Sequence, residues 1–154
     1  MRLGGDYIMC KAAEVGKIVV NKCLDAKIFI NTQKLQKLLV LMQVECIKRS
    51  GKPLFKEDIR VWNCGVAIKE VDDVFKEYGG GFTERQDGFI MLLEVEDESV
   101  NHIIKEYGNM DAFEINSLPC VQKVIQLGVI PDNATVPHID SQILVGAFYY
   151  NDIT

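Results

Sequence analysis

The side chains best suited to chemistry here are two histidines, five cysteines and a run of carboxylates. His102 has Glu98 and Glu106 one helical turn to either side, so on a helix all three share a face. A metal site would need a third good ligand held in place; the spacing favours an exposed helix face instead. His138 follows Pro137 and reads as a loop or capping residue ahead of a last helix. The cysteines, Cys10, Cys23, Cys46, Cys64 and Cys120, are odd in number and form no CxxC pair, which argues against a disulfide framework or a zinc knuckle. Reduced thiols in a cytosolic protein, packed as small hydrophobes, fit better. Glu94, Glu96, Asp97 and Glu98 lack EF-hand spacing. They suit a helix N-terminus, where the dipole favours negative charge. Gly79-Gly80-Gly81 has neither phosphate-loop spacing and reads as a hinge. Nucleophilic catalysis requires a base beside the nucleophile and a group that orients the base. No such signature is present, and a small enzyme built on His102 or Cys120 is the minor hypothesis.

Two further features concern binding. Lys34 and Lys37 share a helical face, and Lys48, Arg49 and Lys52 cluster further on. A small anion or nucleic-acid patch is one reading; solubility and matching of the helix dipole is the favoured one. Trp62, the single tryptophan, reads as a core anchor in preference to an interface hot spot.

Positioning these groups falls to a mainly helical chain. Residues 11 to 24 place Ala12, Val15, Ile18, Val19 and Cys23 at helical spacing. Ile28 to Ile30 is a short extended link, and Asn31 or Thr32 caps the next helix. That helix runs from about Gln33 to Arg49 and contains the unbroken run Leu38 to Met42. At roughly 100° per residue such a run points in every direction, so the helix must lie at the centre of a core. Gly51 ends it. From Phe55 through Ile59 and Val61 the alternation suggests a short strand or extended arm, broken at Gly65. A third helix spans Ile68 to Tyr78, with Val74 among its inward positions. The stretch after Phe89 reads as a short strand leading to an acidic helix start. Ser99 caps a helix through Tyr107, Asp111 caps a short one, and Pro119 opens another ending at Gly128. Asp140 or Ser141 opens the last, with Ile143, Leu144, Ala147, Phe148 and Tyr150. The expected fold is therefore a mainly α, compact single domain over residues 1 to 154. It holds about six to seven helices around a central buried one, with minor short β-strands.

Composition agrees with a globular chain that buries a core unaided: 154 residues, 48% hydrophobic and 25% charged. The formal net charge of −5 and pI near 5.1 argue against direct nucleic-acid or anionic-membrane binding. They suit a protein partner with a basic surface. No secretory leader is visible, and the apolar run of the second helix is far short of the ~20 residues that cross a bilayer. The expected setting is cytoplasmic.

Four segments carry a resemblance: "KLQKLLVLMQ" (34–43), "GKPLFKEDIRVWNCG" (51–65), "VFKEYG" (74–79) and "IIKEYG" (103–108). In order and spacing they resemble the Panacea domain of SocA-like, phage- and mobile-element-associated antitoxin proteins, over a core of residues 12 to 150. The resemblance implies a helical binding domain without catalysis, cofactor or metal, which neutralises a toxin or effector protein by direct contact. An alternative in another biological class is a phage-encoded inhibitor of a host defence nuclease or CRISPR-type effector. Lys37, Gln43, Pro53, Phe55, Trp62 and Gly65 match recurrent family positions. The family's tryptophan is usually followed by Gly-Pro-Val-Val-Pro and then tyrosine; here Val66 and Lys69 replace the prolines and Asp72 the tyrosine. The expected partner-binding set is Lys37, Gln43, Trp62, Gly65, Lys69 and Asp72.

Overall fold

The structure, a computed structural model, describes residues 9–62, 65–88, 90–128 and 138–139. Among them the elements run α1 (Ala12–Asp25), α2 (Thr32–Ser50), β1 (Ile59–Trp62), β2 (Gly65–Ala67), α3 (Lys69–Phe75) with a 3-10 turn Lys76–Tyr78, α4 (Glu94–Tyr107), α5 (Ala112–Asn116), α6 (Pro119–Gly128) and β3 (His138–Ile139). The fold is mainly helical, as expected. The last helix predicted from Asp140 or Ser141 lies outside the described residues.

Helix α2 is the centre. Its N-cap is Asn31, whose Oδ1 accepts from the Lys34 N–H at 2.9 Å. Its stop is Gly51, left-handed at φ 75°, donating its N–H to the Ile47 carbonyl at 2.7 Å. Both ends therefore follow from local chemistry that meets otherwise orphaned backbone groups. Between them Leu38, Leu39, Val40 and Met42 are fully buried and Leu41 is 4% exposed. Helices α1, α3, α4 and α5 and strand β2 pack around α2. Each Leu so enclosed contributes roughly 1.5–3 kcal/mol through burial.

The strands form a small antiparallel sheet in the order β2-β1-β3. Arg60 opposes Ala67, Val61 opposes Val66 and Trp62 opposes Gly65. Gly65 thus resumes the chain as a second strand instead of merely ending the first. His138 is not the capping residue expected from sequence: it lies in β3, opposite Arg60.

Other expectations shift. Helix α4 begins at Glu94, not at Ser99. The Glu96 carboxylate reaches back to accept the Leu93 N–H at 2.8 Å, and Ser99 donates to the Val95 carbonyl at 2.7 Å from within the helix. The acidic run supplied the start signal, and Ser99 is an interior back-bonding serine. Residues 91–93 form no strand. Val74 faces outward, 49% exposed, because α3 buries only Val71 and Phe75 before tightening into the 3-10 turn. At the other end of the chain, Asp111 and Pro119 open α5 and α6 as expected.

Candidate functional site

The polar side chains of α2 form a seam, although Lys34 and Lys37 were expected on a solvated face. Lys34, Gln36, Lys37 and Gln43 are all buried. Long side chains can sink their stems into a core, but their polar ends must find partners there. Here each end meets backbone that would otherwise be orphaned.

Strand β2 is an edge of the sheet, and its residues are buried. Lys37 Nζ donates to the Val66 carbonyl at 3.1 Å and lies 3.4 Å from Gln33 Oε1. Gln36 Oε1 accepts the Ile68 N–H at 2.9 Å, and Gln36 Nε2 donates to Asp72 Oδ1 at 3.2 Å. Two adjacent side chains of α2 therefore satisfy the edge and the entry to α3, covering what would be a pairing-prone strand. About 9 Å further along the helix axis, Gln43 holds another extended stretch. Its Oε1 accepts from Leu54 N at 2.7 Å and Phe55 N at 3.1 Å, and its Nε2 donates to the Phe55 carbonyl at 2.9 Å.

Of the expected partner-binding set, Lys37, Gly65, Lys69 and Asp72 come together where α2, β2 and α3 meet; Gln43 acts elsewhere. Trp62 pairs in β1 through its backbone, and its side chain lies outside the described residues. Gly65 is held at φ 105°, and a Cβ there would collide with the Asn116 side chain at the end of α5. Only glycine suits both the backbone and the close approach. Lys69 is exposed and pairs with Asp73 at 2.7 Å; that hydrogen bond raises its pKa. Asp72 is half-buried under Gln36.

Lys34 and Lys37 are thus not the solvated face expected from their spacing. Lys34 Nζ donates to the Phe29 carbonyl at 2.8 Å. Burial lowers its pKa, while Cys23, Asp111 and Glu114 act in the opposite direction. Burial likewise pushes the Cys23 thiol up to about 11, partly offset by Lys34. Sequence reasoning missed Gln36 altogether. The available signal was its place beside Lys37 and two helical turns before Gln43, on a helix whose apolar residues already required enclosure.

The imidazole and thiol singled out for chemistry border the same recess. His102 and Cys120 line a recess with Glu45, Lys48, Tyr107 and the apolar Leu41, Val44 and Ile103. Its volume is about 60 Å³, well below the ~300–1,000 Å³ of small-molecule sites. Among the described residues no three His, Cys, Asp or Glu side chains are placed to hold a metal ion. Of the carboxylates flanking His102, Glu98 serves elsewhere: it approaches Arg49 at 3.6 Å. Arg49 thereby ties the end of α2 to α4, and it also pairs with Glu45, one turn back on α2, at 2.6 Å. No described helix is long and apolar enough to cross a membrane.

The fold and the seam define a mainly helical scaffold in which one central helix organises both the core and a small sheet. Residues 35–119, more than half of the chain, match the family described as antitoxin SocA-like, Panacea domain, and the chain belongs to that family. No curated protein and no solved structure matches it.

Proposed function

We propose that this protein is an antitoxin that neutralises its toxin by direct contact and without catalysis. The observation that carries the reading is the family match over residues 35–119, which covers α2 from Leu35 onward, the seam residues Gln36, Lys37 and Gln43, and the α2–β2–α3 junction. The buried members of the expected set, Lys37, Gln43 and Gly65, shape this region from within. Contact falls to exposed neighbours such as Lys69 and to the accessible part of Asp72. The recess at His102 and Cys120 is sized for a side chain or a few waters, not for a metabolite. An acidic chain of net charge −5 complements a basic partner and speeds its encounter.

Co-expression with the product of the adjacent gene tests the proposal. Rescue of growth by the wild type, retained in His102→Ala and Cys120→Ala variants, is the expected result. Absence of rescue, or rescue lost with either alanine variant at unchanged protein level, would overturn it.

A further inference from the structure

We propose that residues 90–92 are an unpaired strand that takes up an extended, basic segment of the toxin by backbone hydrogen bonding, with Lys or Arg side chains of that segment at Asp87 and Glu94. The proposal rests on the antitoxin reading and adds to it a contact face and its mode of recognition.

The sequence suggests a strand after Phe89, and the structure shows strand character there without a neighbour. Side chains alternate: Ile90 and Leu92 lie half-buried against the core, whereas Met91 is 83% and Leu93 44% exposed. That period of two belongs to extended chain. Leu93 itself has extended dihedrals, φ −65° and ψ 159°. Yet the N–H and carbonyl groups of Ile90, Met91 and Leu92 have no hydrogen-bond partner among the described residues. Extended backbone without a ladder is a template for a strand from another chain.

Both ends of the segment are anchored. Asn21 Nδ2 donates to the Gln86 carbonyl at 2.8 Å, and Asn21 Oδ1 accepts the Gln86 N–H at 2.7 Å. One side-chain amide of α1 thus grips the backbone as a neighbouring strand would. Arg85 pairs with Asp25, one turn further along α1. At the other end Glu96 accepts the Leu93 N–H, and the Leu93 carbonyl accepts the Asp97 N–H at 2.9 Å. Backbone ordered in advance lowers the entropic cost of adding a partner.

Charge decides the occupant. Asp87 and Glu94 flank the open stretch, are exposed, and make no ion pair among the described residues. Asp97 and Glu98 are already paired, with Lys22 and Arg49. Of the cations at the near end, Arg85 is held by Asp25, and Lys17 lies beside Gly88. A second copy of this chain is a poor occupant: antiparallel self-pairing about Met91 and Leu92 would lay the Asp87 end of one copy over the Glu94 end of the other. Like charges facing across strands are destabilising, whereas opposite charges stabilise the pairing. The flanking carboxylates therefore guard the open edge against self-association and favour a segment with basic residues.

The test uses the full chain and, as probe, the purified toxin encoded beside it. Amide hydrogen exchange of the wild type, alone and in the complex, is followed at Ile90, Met91 and Leu92. Titration calorimetry compares wild type with Met91→Pro, Met91→Ala and Asp87→Lys/Glu94→Lys, with melting curves for each. The expected result is fast exchange at these amides in the free chain and protection in the complex. Met91→Pro, which removes an N–H unpaired in the free chain, should weaken binding on the order of tenfold, and Met91→Ala should weaken it less. The charge-reversed variant should lose affinity and salt sensitivity. A complex in which these amides exchange as before overturns the proposal and leaves the antitoxin reading standing; this arm needs no variant to fold. Equal weakening by Met91→Ala and Met91→Pro would place recognition in the side chain and overturn backbone pairing. Protection that grows with concentration in the absence of toxin would assign the strand to a second copy and contradict the proposal. Wild type that fails to bind the toxin overturns both readings.

Discussion

Leu38–Met42 and the seam of Gln36, Lys37 and Gln43 occupy one helix and are equally hidden from water, yet they are buried for different reasons. The apolar run is enclosed because four helices and a strand pack around it, and its contribution scales with area removed from water. The polar seam is enclosed because backbone at Val66, Ile68, Leu54 and Phe55 needs partners. Its contribution is chiefly the penalty avoided at those groups. Volume governs the first region and hydrogen-bond geometry the second, so substitutions should separate them.

The largest effect is expected in the apolar run. Leu39→Ala should cost roughly 2–5 kcal/mol by leaving a cavity in a packed core, read as a lower denaturation midpoint with unchanged slope. A melt without loss would contradict the central-helix account. Gln43→Leu keeps the bulk but orphans two N–H groups and a carbonyl. A loss of about 3 kcal/mol is expected, at roughly 1 kcal/mol or more per group. If leucine were neutral, the seam would be mere filling. Lys37→Met, which preserves the stem and removes the donor to Val66, should cost about 1–3 kcal/mol.

A subtler separation comes from pH. The raised thiol of Cys23 stays protonated when folded while the unfolded thiol ionises, so its share of stability is lost as pH rises from 9.0 to about 11. Lys34, lowered by burial, works the other way: its share grows as pH climbs towards the ordinary 10.5 and falls as pH drops through the folded value. The stability advantage of wild type over Cys23→Ala should therefore shrink as pH rises across this alkaline range, so that the two melting curves converge, whereas burial of a neutral side chain alone would leave it constant. Parallel curves would remove the thiol from the account. The smallest effect belongs to Lys69→Ala, outside both regions: no measurable change in melting temperature is expected, since its ion pair with Asp73 is exposed.

The contrast also explains what the amino-acid sequence made legible. Asn31, Gly51, Asp111 and Pro119 act on backbone within a few residues of themselves, so their roles could be read locally. The run Leu38–Met42 declared its own burial, because no helical face could leave it wet. Lys34, Lys37 and Gln36 depend on backbone brought from Phe29 and from 66–68 by the fold, and periodicity cannot register an orphaned carbonyl elsewhere in the chain. The same limit hid β3, whose place beside β1 joins residues 59–60 with 138–139. Ser99 misled for a different reason: its hydroxyl suits a cap or an interior back-bond equally, and Glu96 had already closed the helix start. Of the expected set, Lys37, Gly65, Lys69 and Asp72 fall at the α2–β2–α3 junction, while the Val66 carbonyl that draws Lys37 inward had no local marker.

Direct neutralisation is tested most sharply with two purified proteins and nothing else. This chain and the toxin encoded beside it should form a complex that co-elutes by size exclusion, and toxin activity should fall in proportion to the complex formed. Full toxin activity in the mixture, or inhibition that appears only when a host protease is added, would contradict the account.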